Sequence, residues 1–343
     1  PTPIGTATPT LTPSPTPTES PTPAPTQGGS LDVVLPTATA NLDAASLFQR
    51  VAVLDTHQLL IWQAEWSPDG AFFATASADS DVLIWDAASR ELVLSIDAHS
   101  SGAYSVAWSP DGNVLATGGG DDQVKLWDPA SGDLLRTLQG HNGIIWDIAW
   151  SPDGSQLATA SGDGLVKLWE TNTFLRLYNL EVNRGTVYSV TWTPDSQQVI
   201  AGYTNGDILF WDSQTGSATG QTLDGHSNSI RDFAWSNDET RLASASEDGR
   251  AIVWDMTTFE SLFTVTHDGR SAYSVSWSPD DSTLASGSAN NFLQFWNAQD
   301  GSFIRRVAGD ADIIYALDWS PDGLELIGGT GQANLLIWRV QGQ

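Results

Sequence analysis

The residues of this 343-residue chain best suited to proton chemistry are its five histidines and its surplus of carboxylates. Four of the histidines stand twenty-two residues before an aspartate: His57 before Asp79, His99 before Asp121, His141 before Asp163 and His226 before Asp248. A hydroxyl lies four residues ahead of each aspartate, at Thr75, Thr117, Thr159 and Ser244, and a tryptophan follows six residues after it, at Trp85, Trp127, Trp169 and Trp254. Histidine, aspartate and a hydroxyl are the parts of a hydrolytic triad. An active site is a unique constellation, however, and this one occurs four times in one register. The sets are therefore read as internal struts. The expectation is a protein that is not an enzyme, with no catalytic residue.

Other chemistry is missing from the sequence. There is no glycine-rich loop ending in Lys-Ser/Thr, no His-Glu-x-x-His, no complete calcium loop and no nucleophile elbow. The acidic pairs Asp79-Ser80-Asp81 and Asp310-Ala311-Asp312 lack the remaining ligands of a calcium site, so neither a metal nor a cofactor is expected. With no cysteine there is no disulfide framework and no thiolate. The formal net charge is −27, with 14 Lys and Arg against 41 Asp and Glu. Such a surface argues against nucleic acid and anionic membrane as partners, because phosphate neutralisation needs clustered basic residues. No run approaches the roughly 20 apolar residues of a membrane-spanning helix, so no direct membrane insertion is expected.

The elements that position these residues are legible in a tryptophan ladder. One series falls at Trp66, Trp108, Trp150, Trp192, Trp235, Trp277 and Trp319, a second at Trp85, Trp127, Trp169, Trp211, Trp254, Trp296 and Trp338. Successive members of each are 42 or 43 residues apart, which makes an internal repeat of seven units. Within a unit the periodicity is that of strands. Ile144–Trp150 is an extended run, Ser151-Pro152-Asp153-Gly154 a turn, Gln156–Ser161 a strand, Gly162-Asp163-Gly164 a turn and Leu165–Trp169 a strand. A fourth short strand closes the unit, as at Leu134–Leu138.

This unit resembles the WD-repeat family of β-propellers. Gly140-His141 opens a copy, Ser151-Pro152-Asp153-Gly154 marks its middle, and Trp85-Asp86, Trp127-Asp128, Trp211-Asp212 and Trp254-Asp255 carry the eponymous pair. The resemblance covers about residues 46 to 340. It implies an all-β fold, a seven-bladed β-propeller of four-stranded antiparallel blades around a channel. It also implies that each Asp–His–Ser/Thr–Trp set is a buried hydrogen-bond chain within a blade. The last copy ends at Trp338-Arg339-Val340 without a fourth strand, and Leu47–Leu54 matches that strand at the front of the chain. In this family an N-terminal strand completes the C-terminal blade, which removes the exposed sheet edges.

One further position is chosen by residue type. Four residues before each first-series tryptophan stand Trp62, Tyr104, Trp146, Tyr188, Arg231, Tyr273 and Tyr315. The resemblance places this register near the start of the innermost strand, on the narrower face around the channel mouth where partners dock. Trp, Tyr and Arg are the types that carry interface energy, and a ring of π faces can hold cations, sugars or proline rings. The alternative is that the seven simply pack between blades near the axis. Asp147 and Asp232, one residue further on, are expected to give the mouth a negative rim.

Residues 1–30 are a different material, with nine Pro, nine Thr and a single charge, Glu19. Missing N–H donors and fixed φ exclude sheet and helix and leave extended polyproline II. The segment is read as a tail or stalk, with O-glycosylation as one possibility. Residues 31–45 are a linker holding the β-prone Leu31–Leu35, and 46–343 the propeller. The expected function is an extracytoplasmic protein-interaction or scaffold module of a prokaryote, at the cell surface or beyond, whose partner is a protein or peptide. One alternative is a self-assembling subunit of an extracellular fibre or lattice, joined to another copy of itself through the N-terminal tail. The other is the ligand-sensing domain of a larger membrane receptor or kinase.

Overall fold

The computed structural model describes residues 48–55, 57–308 and 312–340. The tail (1–30), the linker with Leu31–Leu35, and Asp310-Ala311 lie outside the described residues. Twenty-eight strands in the described residues form seven antiparallel sheets of four. Six sheets are built from consecutive strands. The seventh takes its outermost strand, Phe48–Asp55, from the front of the chain and its other three, Ile314–Trp319, Glu325–Thr330 and Asn334–Val340, from the end. We number the blades by their inner strands: Ile61–Trp66, Ala103–Trp108, Ile145–Trp150, Val187–Trp192, Ile230–Trp235, Ala272–Trp277 and Ile314–Trp319.

The closing strand pairs antiparallel with Asn334–Val340, from Phe48 opposite Val340 to Asp55 opposite Asn334. Phe48 is the bolt of this joint. Its ring stacks on Phe295 of blade 6 at 3.7 Å between centroids and meets the edge of Trp319 at 5.9 Å. Between blades 7 and 1 Arg90 donates to Glu325 at 2.7 Å, and Arg339 of blade 7 binds the same carboxylate.

The core is divided into seven clusters, each lying between two neighbouring blades. Between blades 1 and 2, for instance, Ala74, Ala76, Val82 and Ile84 pack on Val106, Trp108, Leu115 and Trp127. A single blade cannot bury its two apolar faces, so the stability belongs to the closed ring. The first-series tryptophans add polar stitches. The indole N–H of Trp66, Trp150, Trp192 and Trp277 each donates to a backbone carbonyl of the preceding blade, at 2.9–3.2 Å. The turn after each first-series tryptophan needs a left-handed residue, and Gly70, Gly112, Gly154 and Gly323 supply it in four blades. Ser196 and Asp281 adopt the same conformation without glycine's freedom, and each accepts a backbone N–H from the preceding blade's turn.

Candidate functional site

Every inner strand carries a β-bulge near its start, and the extra residue is the one singled out by type. In blade 1 Ile61 pairs with Ser77 and Gln63 with Ala76, so Trp62 has no partner across the ladder. The same shift leaves out Tyr104, Trp146, Tyr188, Arg231, Tyr273 and Tyr315. In strict alternation residue 62 would share a face with Ala64 and Trp66 and point between blades. The bulge breaks that alternation and re-aims the side chain. The preceding residue takes the core position instead: Ile61, Ala103, Ile145, Val187, Ile230, Ala272 and Ile314 are all fully buried.

The seven freed side chains converge on the axis and are half-buried there. Trp62 lies 4.9 Å from Tyr315, 5.6 Å from Tyr104 and 5.9 Å from Trp146, centroid to centroid. Trp146 meets Tyr104 at 5.0 Å and Tyr188 at 5.1 Å, and Tyr273 meets Tyr315 at 4.8 Å. Arg231 closes the circuit. Its guanidinium lies over Tyr188 at 4.3 Å, and within 5.6 Å of Tyr273 and 5.7 Å of Trp146, with Glu247 3.4 Å from its Nε. The seven residues thus form a continuous lid over one end of the channel. The rings pack on one another at the axis rather than between blades, and each keeps part of its surface exposed.

Beneath the lid is a channel cavity of about 510 Å³. Four carboxyls line it: Glu65, Asp147, Asp232 and Asp318. Their burial deep along the axis pushes each above the ordinary carboxylate range, Asp147 and Asp318 to about 7. Mutual repulsion adds to the effect at Glu65, from Asp318 and Asp147, and at Asp232, from Asp147 and Asp318. Backbone donors work the other way. Asp147 accepts the N–H of Val190 at 2.8 Å, Asp232 that of Val275 at 2.9 Å, and Asp318 that of Trp66 at 2.8 Å. Gln63 plays the same part for Val106 at 2.8 Å. Each bond runs from one blade to the next, so these residues also clasp the inner strands around the axis. The negative rim expected of Asp147 and Asp232 is accordingly corrected. They lie under the lid, half-buried against channel space, because the bulge that frees residue −4 turns residue −3 toward the neighbouring strand.

The four His–Asp sets lie inside the blades. His57 Nδ1 is 3.0 Å from Asp79 and its Nε2 2.8 Å from Thr75, whose hydroxyl also accepts the Trp85 indole N–H at 3.3 Å. The corresponding distances are 2.8, 2.8 and 2.9 Å for His99, Asp121, Thr117 and Trp127. For His141, Asp163, Thr159 and Trp169 they are 2.9, 2.8 and 3.0 Å. For His226, Asp248, Ser244 and Trp254 they are 3.0, 2.8 and 2.8 Å. His57, His99 and His141 are buried, and the side chain of His226 is enclosed as well.

Comparison with known proteins bears on the same elements. A family model described as the first β-propeller of WDR19 matches residues 104–266, and one described as WD domain, G-beta repeat matches residues 48–86 and 259–297. The chain is a WD-repeat β-propeller. It is also 54% identical over 33 residues to a guanine nucleotide-binding protein subunit beta of Saccharomyces cerevisiae, a match that covers 10% of this chain and 8% of that relative. WD-repeat propellers are generally non-enzymatic modules that bind proteins or peptides.

Departures from the repeat are informative. His267 in blade 6 keeps its Nε2 bond to Ser286 at 2.8 Å, and Trp296 donates to the same hydroxyl at 2.7 Å. Asn290 stands where blades 1, 2, 3 and 5 have aspartate, and it bonds Ser288 and Gln294 instead. Among the described residues the Nδ1 of His267 has no hydrogen-bond partner, and burial lowers its pKa to about 4. In the sequence this fifth histidine carried no paired aspartate, so the exception was visible. Glu65 and Asp318 had no such signal. They belong to the channel only because closure brings blade 7 against blade 1.

Proposed function

We propose that this propeller is a non-enzymatic interaction module that docks a protein or peptide partner on the lid formed by Trp62, Tyr104, Trp146, Tyr188, Arg231, Tyr273 and Tyr315. The observation that carries this reading is the bulge. In all seven blades the chain gives up a ladder pairing to bring an aromatic or arginine side chain out of the inter-blade core. A packing role needs no such device, because the core position is already filled by the preceding residue. Six aromatic rings at one mouth, half-exposed and packed tilted or edge-to-face on one another, supply contact area at low entropic cost. The Pro/Thr-rich residues 1–30 support a location outside the cytoplasm, on a stalk.

The decisive variant is the triple substitution Tyr104→Ala, Trp146→Ala, Tyr188→Ala. A folded triple variant is expected to lose partner binding. Unchanged binding would move the docking surface elsewhere. Mass spectrometry of the native chain checks the location, with sugar on the tail threonines as the expected result.

A further inference from the structure

We infer that the partner of the channel mouth is basic, and that it presents an arginine or lysine side chain to the aromatic lid. The inference rests on the reading of the lid as the docking surface and adds the chemistry of what docks there.

The lid already holds a cation. Arg231 is the one non-aromatic member of the seven, and its guanidinium sits over Tyr188 at 4.3 Å with Tyr273 and Trp146 inside 6 Å. Faces of tyrosine and tryptophan attract cations through the ring quadrupole, so the molecule displays on one side of the lid the chemistry its rings accept. The other side, where Trp62 meets Tyr104 and Tyr315, offers the same kind of faces. Among the described residues no arginine or lysine lies over them.

Charge under and around the lid has the matching sign. Glu65, Asp147, Asp232 and Asp318 line the cavity below. Among the described residues no lysine or arginine pairs with any of them. The carboxyls are too dispersed for a single metal ion, since no three ligating side chains of the described residues come close enough to share one. Carboxyls spread beneath the lid attract a cation held on the rings above them. The net charge of −27 acts at longer range, drawing basic partners and repelling acidic ones. Lid, cavity and overall field thus favour one class of ligand.

A random peptide display library, selected against the full chain and against the Tyr104→Ala/Trp146→Ala/Tyr188→Ala variant, tests the inference. The strongest binder is then synthesised with arginine and with citrulline, which keeps the shape and removes the charge. Enrichment of Arg and Lys is expected. Replacement by citrulline is expected to weaken binding about tenfold, and added salt to weaken it further. Asp232→Asn keeps an acceptor for the Val275 N–H and is expected to weaken the arginine peptide several-fold while leaving the citrulline peptide unchanged. Peptides without basic residues that bind the lid overturn the basic partner and leave the docking surface standing. Basic peptides that bind the triple variant as tightly overturn the docking surface. Spermidine that binds as tightly as the arginine peptide overturns the peptide source in favour of a small free cation. The citrulline comparison uses the unsubstituted chain, so it decides the matter even if the triple variant does not fold.

Discussion

Two sets of four carboxylates sit inside this propeller, and their protons are held in opposite ways. Asp79, Asp121, Asp163 and Asp248 face an imidazole at 2.8–3.0 Å. Each also accepts a backbone N–H, from Gln58, Ser100, Asn142 and Ser227. Burial alone would raise them, but these partners outweigh it and hold all four below the ordinary range, Asp163 at about 2. Glu65, Asp147, Asp232 and Asp318 meet backbone donors and one another, and burial wins. Burial by itself therefore says little about a carboxylate; its partners decide the sign. The strut aspartates are satisfied inside the fold. The channel acids carry a cost that a ligand of opposite charge relieves.

The largest expected effect breaks a strut. Asp163→Ala removes the acceptor of His141 and of the Asn142 and Leu165 N–H groups, and should destabilise the fold by about 2–4 kcal/mol. The denaturation midpoint is expected to fall while lid binding stays intact; an unmoved midpoint would mean that His141 and Asp163 contribute nothing.

In the channel the sign reverses. The folded pKa of Asp147, about 7, lies above its unfolded value of 3.8. Its share of stability is therefore whole below about pH 4 and is lost as pH rises through 7. Asp147→Asn should thus stabilise the protein at pH 8 by on the order of 1 kcal/mol and make little difference at pH 4. Melting curves at the two pH values read this directly, and a destabilisation at pH 8 contradicts it. The struts behave the other way. With Asp163 held at about 2 and His141 lowered by burial, their contribution is present above about pH 6.5 and lost in acid. The smallest effect repairs the incomplete set. Asn290→Asp offers the Nδ1 of His267 a carboxylate, for about 0.5 kcal/mol. The imidazole should then titrate above its present value of about 4, as followed by NMR.

The tryptophan ladder and the paired His–Asp spacing were readable because each unit repeats its own local chemistry within about forty residues. The borrowed strand was readable for the same reason, as a fourth-strand pattern before His57; Leu47–Leu54 was expected and Phe48–Asp55 is observed. The register of the lid was also visible, as a run of aromatics broken by Arg231. Its mechanism was not. A bulge is a property of two strands together, and nothing in Trp62 or Gln63 alone announces that Ile61 takes the core. The channel acids were harder still. Asp318 bonds Trp66 across 252 residues, so its partners emerge only once the ring is shut.

Phe48 has a mechanical meaning. Because it lies opposite Val340 in the joint, a load carried between the segment before Phe48 and the segment after Val340 acts at one end of a single pair of strands. Traction there peels hydrogen bonds one at a time rather than shearing them together. The first obstacle to that peeling is the Phe48 ring wedged against Phe295 and Trp319. That one aromatic side chain is therefore expected to resist the first step of unzipping.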